Sequence, residues 1–209
     1  MCRRGILYGS HAELTDLIMT SLQCPWLMRC CPTKGKKERR ADNVRAPCPT
    51  PNVVIYRSDG ASRGQGASAD SVAGWGAAVW TATADGQGVG PPAATARGFL
   101  GIGVSNNFAE YSGLLACMER AARSRDLHII FEVDSMLLAK QLARYRPWAC
   151  RSENLVGLHR LCVDIGERLE TSNVTWNIRH IHREFNQVSD SLSNQAIDEQ
   201  ATNGSSIGW

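Results

Sequence analysis

The hydrophobic period of the sequence changes near residue 105, and this change limits the folds open to the chain. Before it, three apolar stretches with strand-forming composition are joined by short connections rich in Gly, Pro and Ser. These stretches are Val53 to about Asp59, Ala73 to Trp80, and about Thr95 to Val104. Three consecutive strands with short connections predict an antiparallel meander.

After residue 105, helical and strand patterns alternate. The predicted elements are a helix over Asn106–Ser124 with Ser105 as N-cap, a strand over Leu127–Val133, a short helix around Leu138 and Leu142 ended by Pro147, a helix over Leu155–Leu169, a strand over Val174–Arg179, and a helix over Asn186–Glu199 that buries Val188, Leu192 and Ala196. Helical crossovers make the strands that they join parallel. The order therefore predicts an α/β fold with a five-stranded mixed sheet, an antiparallel meander plus two parallel strands, flanked by helices.

The segment before the predicted domain has a different composition. Residues 1–50 carry nine Lys and Arg against four Asp and Glu, with a basic run over Lys34–Arg40, whereas residues 51–209 carry fourteen against sixteen. We predict that residues 1–51 form a disordered, Cys- and Pro-containing leader, with a nuclear address or a nucleic-acid tether as alternatives. The domain is expected over residues 52–200, followed by a frayed tail over 201–209.

Several protein classes do not fit the sequence. It contains no run of about 20 apolar residues, so no membrane span is expected. The first residues lack the pattern of a secretory signal, and Glu13 and Asp16 argue against a mitochondrial presequence. We therefore expect an intracellular protein, in the nucleus or cytoplasm. The eight cysteines include no C-x-x-C pair, which disfavours a zinc site.

Four acids fall at positions that the predicted topology would bring together. Asp59 and Asp134 each follow an apolar strand, and Glu110 and Asp190 are expected in the first turns of two helices. Each acid also has a structural explanation: Asp59 as part of a turn, Glu110 as an acid on the solvent face of its helix, Asp134 as a helix cap, and Asp190 as a complement to a helix dipole. Because four carboxylates at one point would repel each other strongly, their convergence predicts a site for Mg²⁺, which prefers oxygen ligands.

Four motifs resemble those of the type 1 ribonuclease H family, in particular its plant and bacterial branch related to the reverse-transcriptase-associated domain. The motifs are Asp59-Gly60-Ala61-Ser62-Arg63-Gly64, the run from Ser105 to Tyr111, Glu132-Val133-Asp134-Ser135, and the run from His180 to Asp190. The resemblance covers about residues 52–200, with the motifs in the family's order and spacing.

The resemblance implies an endoribonuclease that cleaves the RNA strand of RNA–DNA hybrids with two Mg²⁺ ions, for which Mn²⁺ can substitute, and leaves 3′-hydroxyl and 5′-phosphate ends. It implies that Asp59 bridges both ions, that Asp190 helps to hold the ion at the attacking water, and that Glu110 and Asp134 hold the other. His180 would assist proton transfer and product release, with His182 as a weaker candidate for the same role.

The resemblance also implies that Gly60, Ser62, Ser105, Asn106 and Asn107 contact the hybrid. Asn106 and Asn107 have an alternative role as helix caps. Three features depart from better-known members. Gly103-Val104-Ser105-Asn106 lacks the arginine of the usual phosphate pocket, the basic protrusion is reduced to Tyr145–Trp148, and residues 1–50 show no hybrid-binding domain. We therefore expect weak, salt-sensitive binding of the hybrid.

Two other functions remain open from the sequence. The chain could be a retroelement-derived domain that binds nucleic acid without cleaving it, although a domain released from catalysis would be expected to lose one of the four acids. It could also be another two-metal nuclease of the same fold, although the pair Asn106-Asn107 and His180 favour a hybrid substrate.

Overall fold

A computed structural model describes residues 52–64, 70–82 and 87–200 together with the backbone of 203–204. The predicted leader over residues 1–51, including five of the eight cysteines and the basic run, lies outside these residues. The described residues all belong to one compact unit. None of the helices described is both long and apolar enough to cross a bilayer.

The described elements follow the predicted order. The strands are β1 (Val53–Arg63), β2 (Val72–Thr81), β3 (Ala94–Ile102), β4 (His128–Val133), β5 (Thr175–His180) and the two-residue β6 (Asn203–Gly204). The helices are α1 (Asn106–Arg123), α2 (Met136–Gln141), α3 (Glu153–Thr171) and α4 (Gln187–Glu199), with one turn of 3₁₀ helix over Arg183–Phe185.

The sheet has the order β5-β4-β1-β2-β3-β6. β1 pairs with β2 and β2 with β3 in antiparallel fashion, whereas β4 is parallel to both β1 and β5. The predicted five-stranded mixed sheet is therefore confirmed. In addition, β6 lengthens the sheet by pairing with Ala96 and Arg97 of β3, within the segment predicted as a frayed tail.

Helices cover both faces of the sheet. On one face, α1 and α3 enclose the main apolar core, in which Tyr56, Phe131 and Trp176 of the strands meet Tyr111 and Leu114 of α1. On the other face, α4 packs on β2, β1 and β3, and its Leu192 contacts a smaller cluster around Ile55 and Trp80. This two-sided burial explains why β1 is apolar at consecutive positions rather than at alternate ones.

Three local predictions were wrong. β1 does not end at Asp59 but continues to Arg63, because the segment predicted as a turn keeps its pairing with β2. The short helix α2 ends at Gln141, well before Pro147, so the proline does not end it. Val188 of α4 is 38 % exposed, because the helix turns Ser189, Ser193 and Ala196 toward the sheet instead.

Candidate active site

Three of the four predicted acids gather at one edge of the sheet. Asp59 lies within β1, Glu110 within α1, and Asp134 directly after β4. One carboxylate oxygen from each residue lies within 4.8 Å of those of the other two. Asp59 is 4 % exposed and Glu110 is 8 % exposed. Two buried acids and one half-buried acid thus lie close together. We call Asp59, Glu110 and Asp134 the acid cluster.

Strand register places Asp59 beside Asp134. The parallel pairing of β1 with β4 runs as far as Ser58 and Val133, so the next residue on each strand is an acid of the cluster. β4 stops there, whereas β1 continues along β2. The predicted convergence rests on the end of the parallel pairing, since Asp59 is not itself at the end of a strand.

A glycine lets α1 bring Glu110 to the same point. A Cβ added to Gly60 would overlap the backbone nitrogen of Glu110, so no other residue fits at this position without moving the helix. Ser105 caps α1 as predicted, because its hydroxyl accepts a hydrogen bond of 3.3 Å from the backbone N–H of Phe108. Glu110 is the fifth residue of the helix and lies on its second turn, not on the first as predicted.

Burial and mutual repulsion both favour the protonated forms of two of these acids. Burial, followed by the charge of Asp134, raises the pKa of Asp59 to about 7. Burial, followed by the charges of Asp59 and Asp134, raises the pKa of Glu110 to about 9. Within the described residues, Glu110 Oε2 and Asp134 Oδ1 are buried without a hydrogen-bond partner. Buried, unpartnered carboxylate oxygens are the donor set that a hard divalent cation requires.

The fourth predicted acid, Asp190, stands next to this cluster with a different partner. It lies in the first turn of α4, as predicted, and its charge raises the pKa of Asp59. Its carboxylate forms an ion pair with Arg183. The structure therefore brings Asp190 within electrostatic reach of Asp59, while Asp59, Glu110 and Asp134 alone form the group that shares 4.8 Å distances.

His180 is the last residue of β5 and pairs in register with Val133, one residue before Asp134. Its ring lies 6.0 Å from that of His182, centroid to centroid, in an edge-to-face arrangement. Within the described part of the chain, neither imidazole lines the cleft at the acid cluster. The structure therefore places His180 near the acids along the sheet edge but outside the cleft itself.

Three of the five predicted substrate-binding residues, Gly60, Ser62 and Asn106, line an open cleft of about 370 Å³ at the acid cluster, whereas Ser105 and Asn107 do not. The Ser62 hydroxyl donates to the carbonyl of Val104 at 2.9 Å. The side-chain amide of Asn106 points to Glu110 Oε1 at 3.4 Å, and Asn107 is exposed on the first turn of α1. A larger cavity of about 500 Å³ lies beneath Tyr145 and Trp148 and contains none of the predicted acids.

Sequence reasoning assigned no role to three residues whose side chains contact a predicted acid or the residue next to one. Arg183 pairs with Asp190, and Ser193 donates to Asp59 Oδ2 at 2.9 Å. Asn186 is buried and donates from its side-chain amide to the carbonyl of Ser58 at 2.9 Å. The only sequence signal for them is position, since Asn186 and Ser193 lie one helical turn on either side of Asp190.

Comparisons with known proteins agree with this geometry. Residues 67–196 match the family model described as reverse transcriptase-like, a span that includes three of the four acids and begins after Asp59. The bifunctional protein Rv2228c of Mycobacterium tuberculosis is 29 % identical over 149 residues, which cover 71 % of this chain and 36 % of that protein. Ribonuclease HI of Halobacterium salinarum is 34 % identical over 142 residues, which cover 68 % of this chain and 62 % of that protein.

Solved structures of the same two relatives share the fold. The N-terminal RNase H domain of Rv2228c superposes with a TM-score of 0.58 at 28 % identity, covering 71 % of this chain and 95 % of the domain. The Halobacterium salinarum RNase H1 gives a TM-score of 0.54 at 32 % identity, covering 70 % of this chain and 98 % of that structure. This chain belongs to the reverse transcriptase-like family of type 1 ribonuclease H domains.

Proposed function

We propose that the chain is an endoribonuclease that hydrolyses the RNA strand of RNA–DNA hybrids and leaves 3′-hydroxyl and 5′-phosphate ends. The observation that carries this proposal is the acid cluster, in which three acids share ligand distances within 4.8 Å. The relative named ribonuclease HI, at 34 % identity, supports the same activity.

The acid cluster fits divalent cations, with Mg²⁺ as the expected ion and Mn²⁺ as a substitute. Asp59, Glu110 and Asp134 supply only oxygen donors, and two of their oxygens are buried without a partner among the described residues. Asp190 would complete the ligand set if its carboxylate exchanged Arg183 for a cation. Two divalent ions, when bound, stabilise the attacking and leaving oxygens of a phosphoryl displacement.

The protein groups around the cations have three tasks in this proposal. The buried walls of the cleft keep the carboxylates in a fixed arrangement and shield them from water, which strengthens their interaction with a cation. His180 is proposed to move a proton at the sheet edge, because imidazole is the commonest general acid and base in catalysis. Arg183 supplies a positive charge to the cleft that the scissile phosphate would meet.

Recognition of the hybrid is proposed to use the first turn of α1. The side chains of Asn106 and Asn107 are exposed there, and an amide can pair with the 2′-hydroxyl groups displayed in the wide minor groove of a hybrid. Ser62 would contribute through its backbone, because its hydroxyl already donates to Val104. Since residues 51–209 carry fourteen basic against sixteen acidic side chains, binding is expected to be weak and to fall with added salt.

The test is cleavage of an end-labelled RNA–DNA hybrid with Mg²⁺ or Mn²⁺, alongside single-stranded RNA, duplex RNA and duplex DNA. Asp59→Asn is the inactive variant, and Asp164→Asn, which changes an exposed acid of α3, is its matched control. We expect cleavage of RNA in the hybrid by the wild type and by Asp164→Asn, and none by Asp59→Asn.

Other outcomes would select another function. Cutting of a different substrate would identify another two-metal nuclease of this fold. Folded protein that binds the hybrid but does not cut it with either metal would identify a nucleic-acid-binding domain, and the ion pair between Arg183 and Asp190 would then be its resting arrangement.

A further inference from the structure

We propose that Ser193 is a positioning residue that sets the orientation of the Asp59 carboxylate for cation binding. This inference rests on the proposed function, because it assigns Ser193 a role toward the cation that Asp59 would hold. Ser193 lies in α4, on the opposite side of the sheet from α1, and within the described part of the chain its hydroxyl bonds to no other acid side chain of the cluster.

The contact is a buried hydrogen bond between distant parts of the chain. Ser193 Oγ lies 2.9 Å from Asp59 Oδ2, and Ser193 has no exposed surface. The same hydroxyl lies 2.8 Å from the carbonyl oxygen of Asp190, which is the usual acceptor for a helical serine. A hydroxyl has a single proton to donate, and an ionised carboxylate is a stronger acceptor than a carbonyl, so Ser193 would donate to a cation-bound Asp59 rather than to the carbonyl of Asp190.

Glycines in β2 allow the helix to come this close. A Cβ added to Gly74 would lie 2.9 Å from the carbonyl oxygen of Ser193, and one added to Gly76 would overlap the carbonyl oxygen of Ser189. Gly76 is also the β2 partner of Asp59. The helix therefore approaches the sheet at the point where the side chain of Asp59 leaves it.

A second contact fixes the start of the helix at the neighbouring residue. The buried side-chain amide of Asn186 donates to the carbonyl of Ser58 at 2.9 Å. Asn186 and Ser193 thus tie α4 to β1 at consecutive residues, Ser58 and Asp59. A bond to one carboxylate oxygen fixes the rotation of Asp59 about its Cβ–Cγ bond, and such outer contacts orient metal ligands.

The test compares Ser193→Ala with Ser189→Ala in the full chain. Both serines are fully buried in α4, but the Ser189 hydroxyl has no hydrogen-bond partner in the described part of the chain. Binding of Mn²⁺ without substrate is measured by calorimetry, at a temperature where all variants are folded by circular dichroism. We expect affinity to fall about 10- to 100-fold in Ser193→Ala, the range for loss of an outer contact to a ligand, and to stay at the wild-type value in Ser189→Ala.

A second measurement asks whether Ser193 acts through Asp59. In metal-free protein, Ser193→Ala should lower the urea midpoint in the wild-type background but not in the Asp59→Ala background, because the two residues share one bond. Equal Mn²⁺ affinity of Ser193→Ala and wild type overturns the positioning role while leaving the proposed function in place. Equal losses in both serine variants overturn it as well. A wild type that binds no Mn²⁺ overturns the proposed function and the role of Ser193 together.

Discussion

Along β1 and β4, the single buried acid Glu132 lies one row away from the acid cluster, and the protein treats the two in opposite ways. Glu132 is 1 % exposed and accepts from Arg57 Nε at 2.6 Å and from Arg179 Nε at 2.7 Å. Arg57 in turn stacks on Trp80, with its guanidinium carbon 4.7 Å from the ring centroid. Two residues further along the same strands, Asp59 and Asp134 meet Glu110, and none of the three forms an ion pair with an arginine among the described residues.

The difference in ion pairing distinguishes Glu132, which has a structural role, from the acid cluster, which is suited to bind a cation. A buried carboxylate must be neutralised by a partner or by its own proton. Glu132 has two protein cations, and it ties three adjacent strands together. Among the described residues, no acid of the cluster forms such an ion pair, and burial raises the pKa of Asp59 and of Glu110 although the charge of Arg183 opposes the shift. Since arginines are bonded to Glu132 one row away, the lack of an arginine bonded to the acid cluster in the described part of the chain favours a cation supplied from solution.

The largest effect should come from Glu110→Gln. If the acid cluster holds the catalytic cations, this change should reduce hydrolysis of the hybrid at least about a thousandfold, which corresponds to about 4 kcal/mol of lost transition-state stabilisation. The stability of metal-free protein at pH 7 should not fall, because glutamine resembles the protonated acid that burial already favours. Single-turnover cleavage and urea unfolding measure the two effects. Activity within tenfold of wild type would remove Glu110 from the site.

The same substitution in the neighbouring row should act on stability. Glu132→Gln would leave Arg57 and Arg179 without their shared carboxylate, and we expect a loss of about 3 kcal/mol in the free energy of unfolding. Glu119→Gln, on the exposed side of α1, should change it by less than about 0.5 kcal/mol. Urea unfolding of the three proteins decides the point. If Glu132→Gln left the free energy of unfolding unchanged, the comparison would fail, because both rows would then tolerate the loss of an acid.

Metal-free protein should lose stability as the pH rises. Asp59 and Glu110 bind their protons more tightly in the folded chain, with pKa values of about 7 and about 9 in place of ordinary values near 4. Their stabilising contribution is therefore complete below about pH 4 and is lost as the pH passes through 7 and then 9. Urea unfolding in chelator from pH 5 to 9 should show this slope, and a combined Asp59→Asn, Glu110→Gln variant should flatten it.

Divalent cations should reverse that loss. At pH 8, Mg²⁺ at ten times its dissociation constant should add about 1.4 kcal/mol to the free energy of unfolding of the wild type. It should add little to the doubly substituted variant, which lacks two of the ligands. An equal gain in both proteins would show that the ion binds elsewhere.

The smallest effect should come from Arg179→Ala. The side chain of Arg179 is 44 % exposed, so water can replace part of its interaction with Glu132, and we expect a loss of at most about 1 kcal/mol. Arg57→Ala should cost more, because Arg57 is 14 % exposed and also stacks on Trp80. Urea unfolding of the two variants gives their losses in the free energy of unfolding. A larger loss in Arg179→Ala would mean that the exposed arginine contributes most of the stabilising interaction with Glu132.

The sequence by itself determined the element order, the mixed sheet and the acids that the topology gathers. Periodicity is a local property, so the strands and helices could be predicted from the spacing of apolar residues. Helical crossovers then made β1 and β4 parallel, which is why Asp59 and Asp134 could be expected together. The Ser105 cap was equally local, since it depends on a hydroxyl three residues before a backbone N–H.

Only the tertiary structure decided how closely the elements approach and which partners the acids receive. Gly60 and Gly76 set the distances of α1 and α4 from the sheet, because a helix backbone occupies the space that a side chain would need at each position. No pattern in the sequence shows this close approach. The rotation of α4 exposed Val188 and turned Ser193 toward Asp59, against the apolar periodicity. Only the fold decides that Asp190 pairs with Arg183 and that Glu132 pairs with two arginines. The sequence offers basic residues at many positions, so it does not show which of them each acid will meet.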